Sequence, residues 1–145
     1  MRFMLIVKAT GYSEAGVKNA PEDEEAMEAY RESLARSGAL LVSEKLLPSS
    51  AGIRILRPPE GGEPQVTAGP FPLDEGLMAG FALIEARTEA EAVEWALRMP
   101  VPPRRGGSVI ELRKLEESSG RARDPRIPAM EAELEDQLDM LRRIK

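Results

Sequence analysis

The segment from Val66 to Leu115, which opens on the turn Val66-Thr67-Ala68-Gly69-Pro70-Phe71, restricts the fold more than any other part of the chain. Gly80-Phe81-Ala82-Leu83-Ile84-Glu85-Ala86 is apolar on both alternating sets and too short for a helix, so it reads as a strand covered on both faces. Thr88 then stands as a helix N-cap, and Glu91 three residues on completes a capping box. The helix predicted over about residues 89–99 carries Val93, Ala96 and Leu97, flanked by Ala92, Trp95 and Met99, as a broad apolar face. Pro100, Pro102 and Pro103 end it, and Ser108 to Leu115 returns as a strand.

The first half of the chain has the same grammar. Phe3-Met4-Leu5-Ile6-Val7 lies in a predicted strand over 2–9. Gly11 to Ala20 is polar and small and reads as a connection. Pro21 sits where a first helical turn tolerates it, and Glu22, Asp23, Glu24 and Glu25 suit the positive end of a helix dipole. Met27, Tyr30 and Leu34 form the stripe of that helix, with Gly38 just past its end. Ala39 to Leu47 is a second strand, stopped by Pro48.

Between the halves, Ile53-Arg54-Ile55-Leu56-Arg57 and Gln65-Val66-Thr67 flank the breaker Pro58 to Pro64 and predict a hairpin with a long tip. Gly69, Pro70 and Pro72 then fix a loop around Phe71 that runs through Leu73, Asp74, Glu75 and Gly76. The order is strand, helix, strand, hairpin, strand, helix, strand. It predicts an α+β class, ferredoxin-like split β-α-β domain with an antiparallel sheet and both helices on one face. Two helices cover one face only, so the doubly apolar strands predict an isologous homodimer, a dimeric α+β barrel.

Composition narrows the partners. At 145 residues the chain suits one domain over 1–115 and an appendage over 116–145. A net charge of -5 argues against nucleic acid and anionic membrane as obligatory partners. The chain has no cysteine and no histidine, which removes disulfides, thiolate chemistry and the commonest zinc ligand, so no metal and no cofactor is expected. The five-residue apolar run before Lys8 is too short for a signal core or a membrane span, and the expected location is the cytoplasm. Past Leu115, residues 116–128 read as a linker. Ile127, Met130, Leu134, Leu138, Leu141 and Ile144 then recur at helical spacing, and this tail helix is expected to dock on its own dimer or to recruit a partner.

Val66-Thr67-Ala68-Gly69-Pro70-Phe71, Gly80 to Glu85, Glu89 to Ala96 and Gly106 to Arg113 together resemble the DGPF-domain family of YCII-related bacterial proteins, over roughly residues 1–115. The resemblance implies a ferredoxin-like dimeric barrel. It implies, for some members, association with sigma factors, and for distant relatives, dehydrochlorinating activity. The motif's acidic residue falls on Ala68, and the histidine of the distant relatives' pair has no counterpart here. Asp74 and Glu75 are the candidate catalytic acids that remain. Ala68, Gly69, Phe71, Tyr12 and Arg54 are the candidate ligand-binding residues, with Lys8 also within reach of a pocket beside the sheet. Tyr30 and Trp95 are assigned to the core by helical spacing, and Arg104-Arg105-Gly106-Gly107 to an exposed basic turn rather than a phosphate site. Three functions stay open: a non-catalytic dimeric module binding a small ligand or serving a regulatory partner, a small-molecule lyase or hydrolase, and an interaction protein working through its tail helix.

Overall fold

The computed structural model describes residues 1–102 and 107–117, together with Leu134, Asp136, Gln137, Leu138, Met140 and Leu141. The predicted order holds. It comprises β1 (Arg2–Lys8), α1 (Gly11–Glu14), α2 (Pro21–Arg36), β2 (Leu40–Lys45), a 3-10 turn (Ser49–Ala51), β3 (Ile53–Leu56), β4 (Gln65–Ala68), β5 (Met78–Glu85), α3 (Glu89–Arg98) and β6 (Ile110–Lys114). Strands β2-β5-β1-β6 make an antiparallel sheet in that order, and β3-β4 form a separate two-stranded ladder. Chain order and sheet order together are those of a ferredoxin-like α+β domain with a hairpin inserted between β2 and β5.

Register decides which residues meet the helices. Phe3 faces Ile84, Leu5 faces Ala82 and Leu112, and Leu40 faces Ile84, so these share one side of the sheet. Tyr30 and Leu34 of α2 and Ala92 and Trp95 of α3 close that side into the core, with Met99 at the end of α3. The other side presents Met4, Ile6, Val42, Phe81 and Leu83, with Arg2, Glu44, Glu111 and Arg113 around them. On that side Ile6 is buried, Met4, Phe81 and Leu83 are half-buried and Val42 is exposed.

Three local expectations need correction. Gly11–Glu14 is a helical turn, not an irregular connection: the Thr10 Oγ1 accepts the Ser13 N–H at 3.2 Å while the Thr10 N–H donates to the Ser13 Oγ at 2.8 Å. On α3, Leu97 is 80% exposed and Val93 also faces out, because the single stripe of Ala92, Trp95 and Met99 already fills the space over the sheet. Thr88 does cap α3, accepting the Glu91 N–H at 3.1 Å, but the Glu91 carboxylate accepts from Arg87 N–H instead of from the cap residue. Residues 103–106 of the basic turn, most of the 116–128 linker and most tail positions lie outside the described residues. The described tail positions 134, 136–138, 140 and 141 are helical. By contacts the chain divides into two compact units, Met1–Leu115 and Glu116–Lys145.

Candidate functional site

The ends of β1 and β2 and the starts of β5 and β6 lie at one end of the four-stranded sheet, because β5 and β6 both run antiparallel to β1 and β2 runs antiparallel to β5. The Gly69 N–H bond to the Gly52 carbonyl ties the end of β4 to the turn that follows β2. Of the candidate residues, Gly69, Phe71, Asp74 and Glu75 fall in loops, while Lys8 ends β1, Tyr12 is in α1, and Arg54 and Ala68 are in β3 and β4. Their centre is a side chain that sequence reading passed over, Ser49, the one buried polar residue described. Its N–H donates to Glu14 Oε1 at 3.0 Å and its hydroxyl donates to Glu14 Oε2. The Ser49 Oγ in turn accepts the Phe71 N–H at 2.9 Å. One serine therefore ties α1 to the Gly69-Pro70-Phe71 loop.

Gly69 shows why the loop demands this shape. A Cβ there would lie 1.8 Å from the Ser49 carbonyl oxygen and 2.8 Å from its carbon, so only a glycine lets the two backbones touch. The Gly69 N–H donates to the Gly52 carbonyl at 2.9 Å, and the Gly69–Pro70 peptide is cis. Half-buried Phe71 carries the Arg54 guanidinium 4.2 Å above its ring centroid. The clasp is built of satisfied groups: the Ser49 hydroxyl gives its proton to a carboxylate and takes one from an amide, which suits holding a loop and not attacking a substrate.

The candidate ligand-binding set divides. In the hairpin Arg54 faces Thr67 and Ile53 faces Ala68, so Arg54 stands on the Phe71 side while Ala68 is on the opposite face. Tyr12 is exposed on α1. Asp74 and Glu75 are exposed in the next loop, where the Asp74 Oδ1 accepts the Gly76 N–H at 2.8 Å. They line an open cleft of about 690 Å³ with Lys8, Ala9, Leu73, Gly76, Val109 and Glu111. The Lys8 ammonium lies 3.7 Å from the Glu111 carboxylate, which is 3.8 Å from Arg113. None of Ala68, Gly69, Phe71, Tyr12 and Arg54 lines this cleft.

Removing the Ser49 hydroxyl would leave the Phe71 N–H without its acceptor and take one of two donors from the partly buried Glu14 carboxylate, which keeps the backbone N–H of residue 49. Ser49→Ala is expected to lower stability by about 1–3 kcal/mol, read as the shift in urea midpoint at unchanged m-value. Ser49→Thr, which keeps the oxygen, is expected to lose less.

Among the described residues, no group of three or more Asp or Glu side chains is placed to hold a metal ion, and no helix is long and apolar enough to cross a membrane. The family model described as the YCII-related domain matches residues 1–117. No curated protein matches the chain.

Proposed function

This chain belongs to the YCII-related family, and from that premise we propose that it is a non-catalytic homodimeric module that binds a small organic ligand at the loop end of its sheet. The observation that carries this reading is the cleft beside Lys8. It is open to solvent, and it brings two exposed apolar side chains, Leu73 and Val109, beside one cation and three carboxylates. Its acids support binding more than proton transfer: Asp74 is engaged by its own turn, Glu111 by Lys8 and Arg113, and Glu75 is solvated. Ala68, where the DGPF motif carries an acid, lies outside this cleft.

Calorimetric titration with a panel of small carboxylic acids, phenols and amines tests the reading. A saturable ligand is expected, its affinity changed about tenfold or more by Lys8→Met or Glu75→Gln. Turnover of a panel member that Asp74→Asn or Glu75→Gln abolishes would establish the lyase or hydrolase reading instead.

A second reading is favoured by the tail, where Leu134, Leu138 and Leu141 recur at spacings of four and three on helical positions and are all exposed. In it the tail helix recruits a different protein. Deleting residues 117–145 would then leave the dimer intact and abolish the recruitment.

A further inference from the structure

Every residue of the β3-β4 hairpin is exposed, although half of them are large and apolar. The pairing sorts them. Ile53 opposite Ala68 and Ile55 opposite Val66 make one wholly apolar face, while Arg54, Leu56, Gln65 and Thr67 make a mixed one on the Phe71 side. Ile53, Ile55 and Val66 are 69%, 60% and 68% exposed. A two-stranded ladder alone in water is marginal at best, so a surface against its apolar side would stabilise this one.

Resting on the homodimer reading above, we propose that the hairpin is a dimerisation arm whose Ile53, Ile55, Val66 and Ala68 face is covered by a second copy of this chain. Area argues for that occupant. The side of the four-stranded sheet away from the helices spans roughly 19 Å by 17 Å, on the order of 320 Å² in projection. A stable dimer buries about 800 Å² per partner. The sheet face is therefore a small platform for a dimer, and the arm's apolar face extends it by roughly two-fifths. The arm is also rooted in that platform, since it joins β2 to β5, two strands that carry Val42, Phe81 and Leu83 on the side away from the helices. A two-fold axis uses both arms at once. Ala68 keeps the strip free of charge, and Thr67, one residue away, points to the other face.

Sedimentation equilibrium across concentrations that bracket dissociation, on the full chain, tests the arm. The wild type is expected to dimerise, with Ile55→Lys and Ala68→Asp weakening the dimer at least about tenfold and Thr67→Asp changing it less than about twofold. Because the chain has no cysteine, Val66→Cys supplies a unique thiol, whose reaction with a maleimide is expected to slow sharply at concentrations where the dimer forms. This labelling also decides the matter if Ile55→Lys does not fold. A wild-type dimer that Ala68→Asp leaves unchanged, with the thiol at 66 equally reactive in monomer and dimer, would overturn the arm while leaving the homodimer standing. A wild type that stays monomeric throughout would overturn the homodimer reading and the arm with it.

Discussion

Gly69→Ala is expected to lower stability by about 3 kcal/mol or more, seen as a fall of roughly 10 °C or more in melting temperature. The added methyl would meet backbone, not a side chain that can swing aside: the Ser49 carbonyl oxygen at 1.8 Å, its carbon at 2.8 Å and the Ser50 nitrogen at 3.4 Å. Relief requires the 3-10 turn or the Gly69-Pro70-Phe71 loop to move. The turn is held by Glu14 through two hydrogen bonds, and the loop is held to the turn by the Phe71 N–H and by the Gly69 N–H. Moving either one breaks bonds of partly buried groups, so the overpacking term of about 1–3 kcal/mol and the unsatisfied-polar term of similar size add. Gly11→Ala is the control. Its Cβ would meet nothing within 4 Å and its backbone is helical, so its melting temperature is expected to stay within a degree or two of wild type. Equal losses in the two variants would show that the close approach at Gly69 is not what holds the loop.

That constraint explains what could be read from the sequence and what could not. The α2 stripe and the Thr88 cap are local signals, set by spacings within a few residues, and both appear in the structure, although Glu91 does not close the capping box. The one-turn α1 has a local signal too, Thr10 with Ser13, but serine at the third helical position is a weaker cue than glutamate or glutamine, and four residues carry no periodicity. Leu97 misleads because an apolar helix position is only a candidate for burial. Where a bulky Trp95 fills the contact, its neighbour is left outside.

The Ser49–Glu14 clasp lies beyond local reasoning altogether. Its partners are 35 residues apart and belong to no spacing pattern, so only the tertiary fold brings them together. The hairpin falls between these cases. Alternation shows that Ile53 and Ile55 share a face, whereas the pairing offset that adds Val66 and Ala68 to it, and puts Arg54 beside Phe71 instead, depends on the long tip between the strands. The candidate ligand residues were therefore identified as neighbours in sequence and are separated by the pleat.

Trp95→Ala is expected to destabilise the domain by about 3–5 kcal/mol and to change how it responds to alkali. Trp95 is 8% exposed, packs edge-on against Tyr30 with ring centroids 6.1 Å apart, and lies beneath the Arg98 guanidinium at 4.4 Å. The Tyr30 hydroxyl donates to the Trp95 carbonyl oxygen at 2.5 Å, so α2 and α3 are joined by packing and by a hydrogen bond at the same place. Burial pushes the Tyr30 phenol up to about 12, against a smaller opposing pull from Arg98. Below about pH 10 the phenol is protonated in both folded and unfolded chains, and its contribution is intact. Between pH 10 and 12 the unfolded chain releases the proton while the folded chain keeps it, so stability falls as pH rises, by on the order of 2 kcal/mol across the window. Tyr30→Phe has no such proton to lose. Its stability deficit relative to wild type, measured by urea unfolding, is expected to shrink between pH 9.5 and 12, a window set by the ordinary phenol value of about 10 and the raised one. In Trp95→Ala water reaches the phenol, and phenolate absorbance is expected to show Tyr30 ionising closer to its ordinary value. A deficit for Tyr30→Phe that is constant over that range would contradict the buried, neutral phenol on which the α2–α3 junction depends.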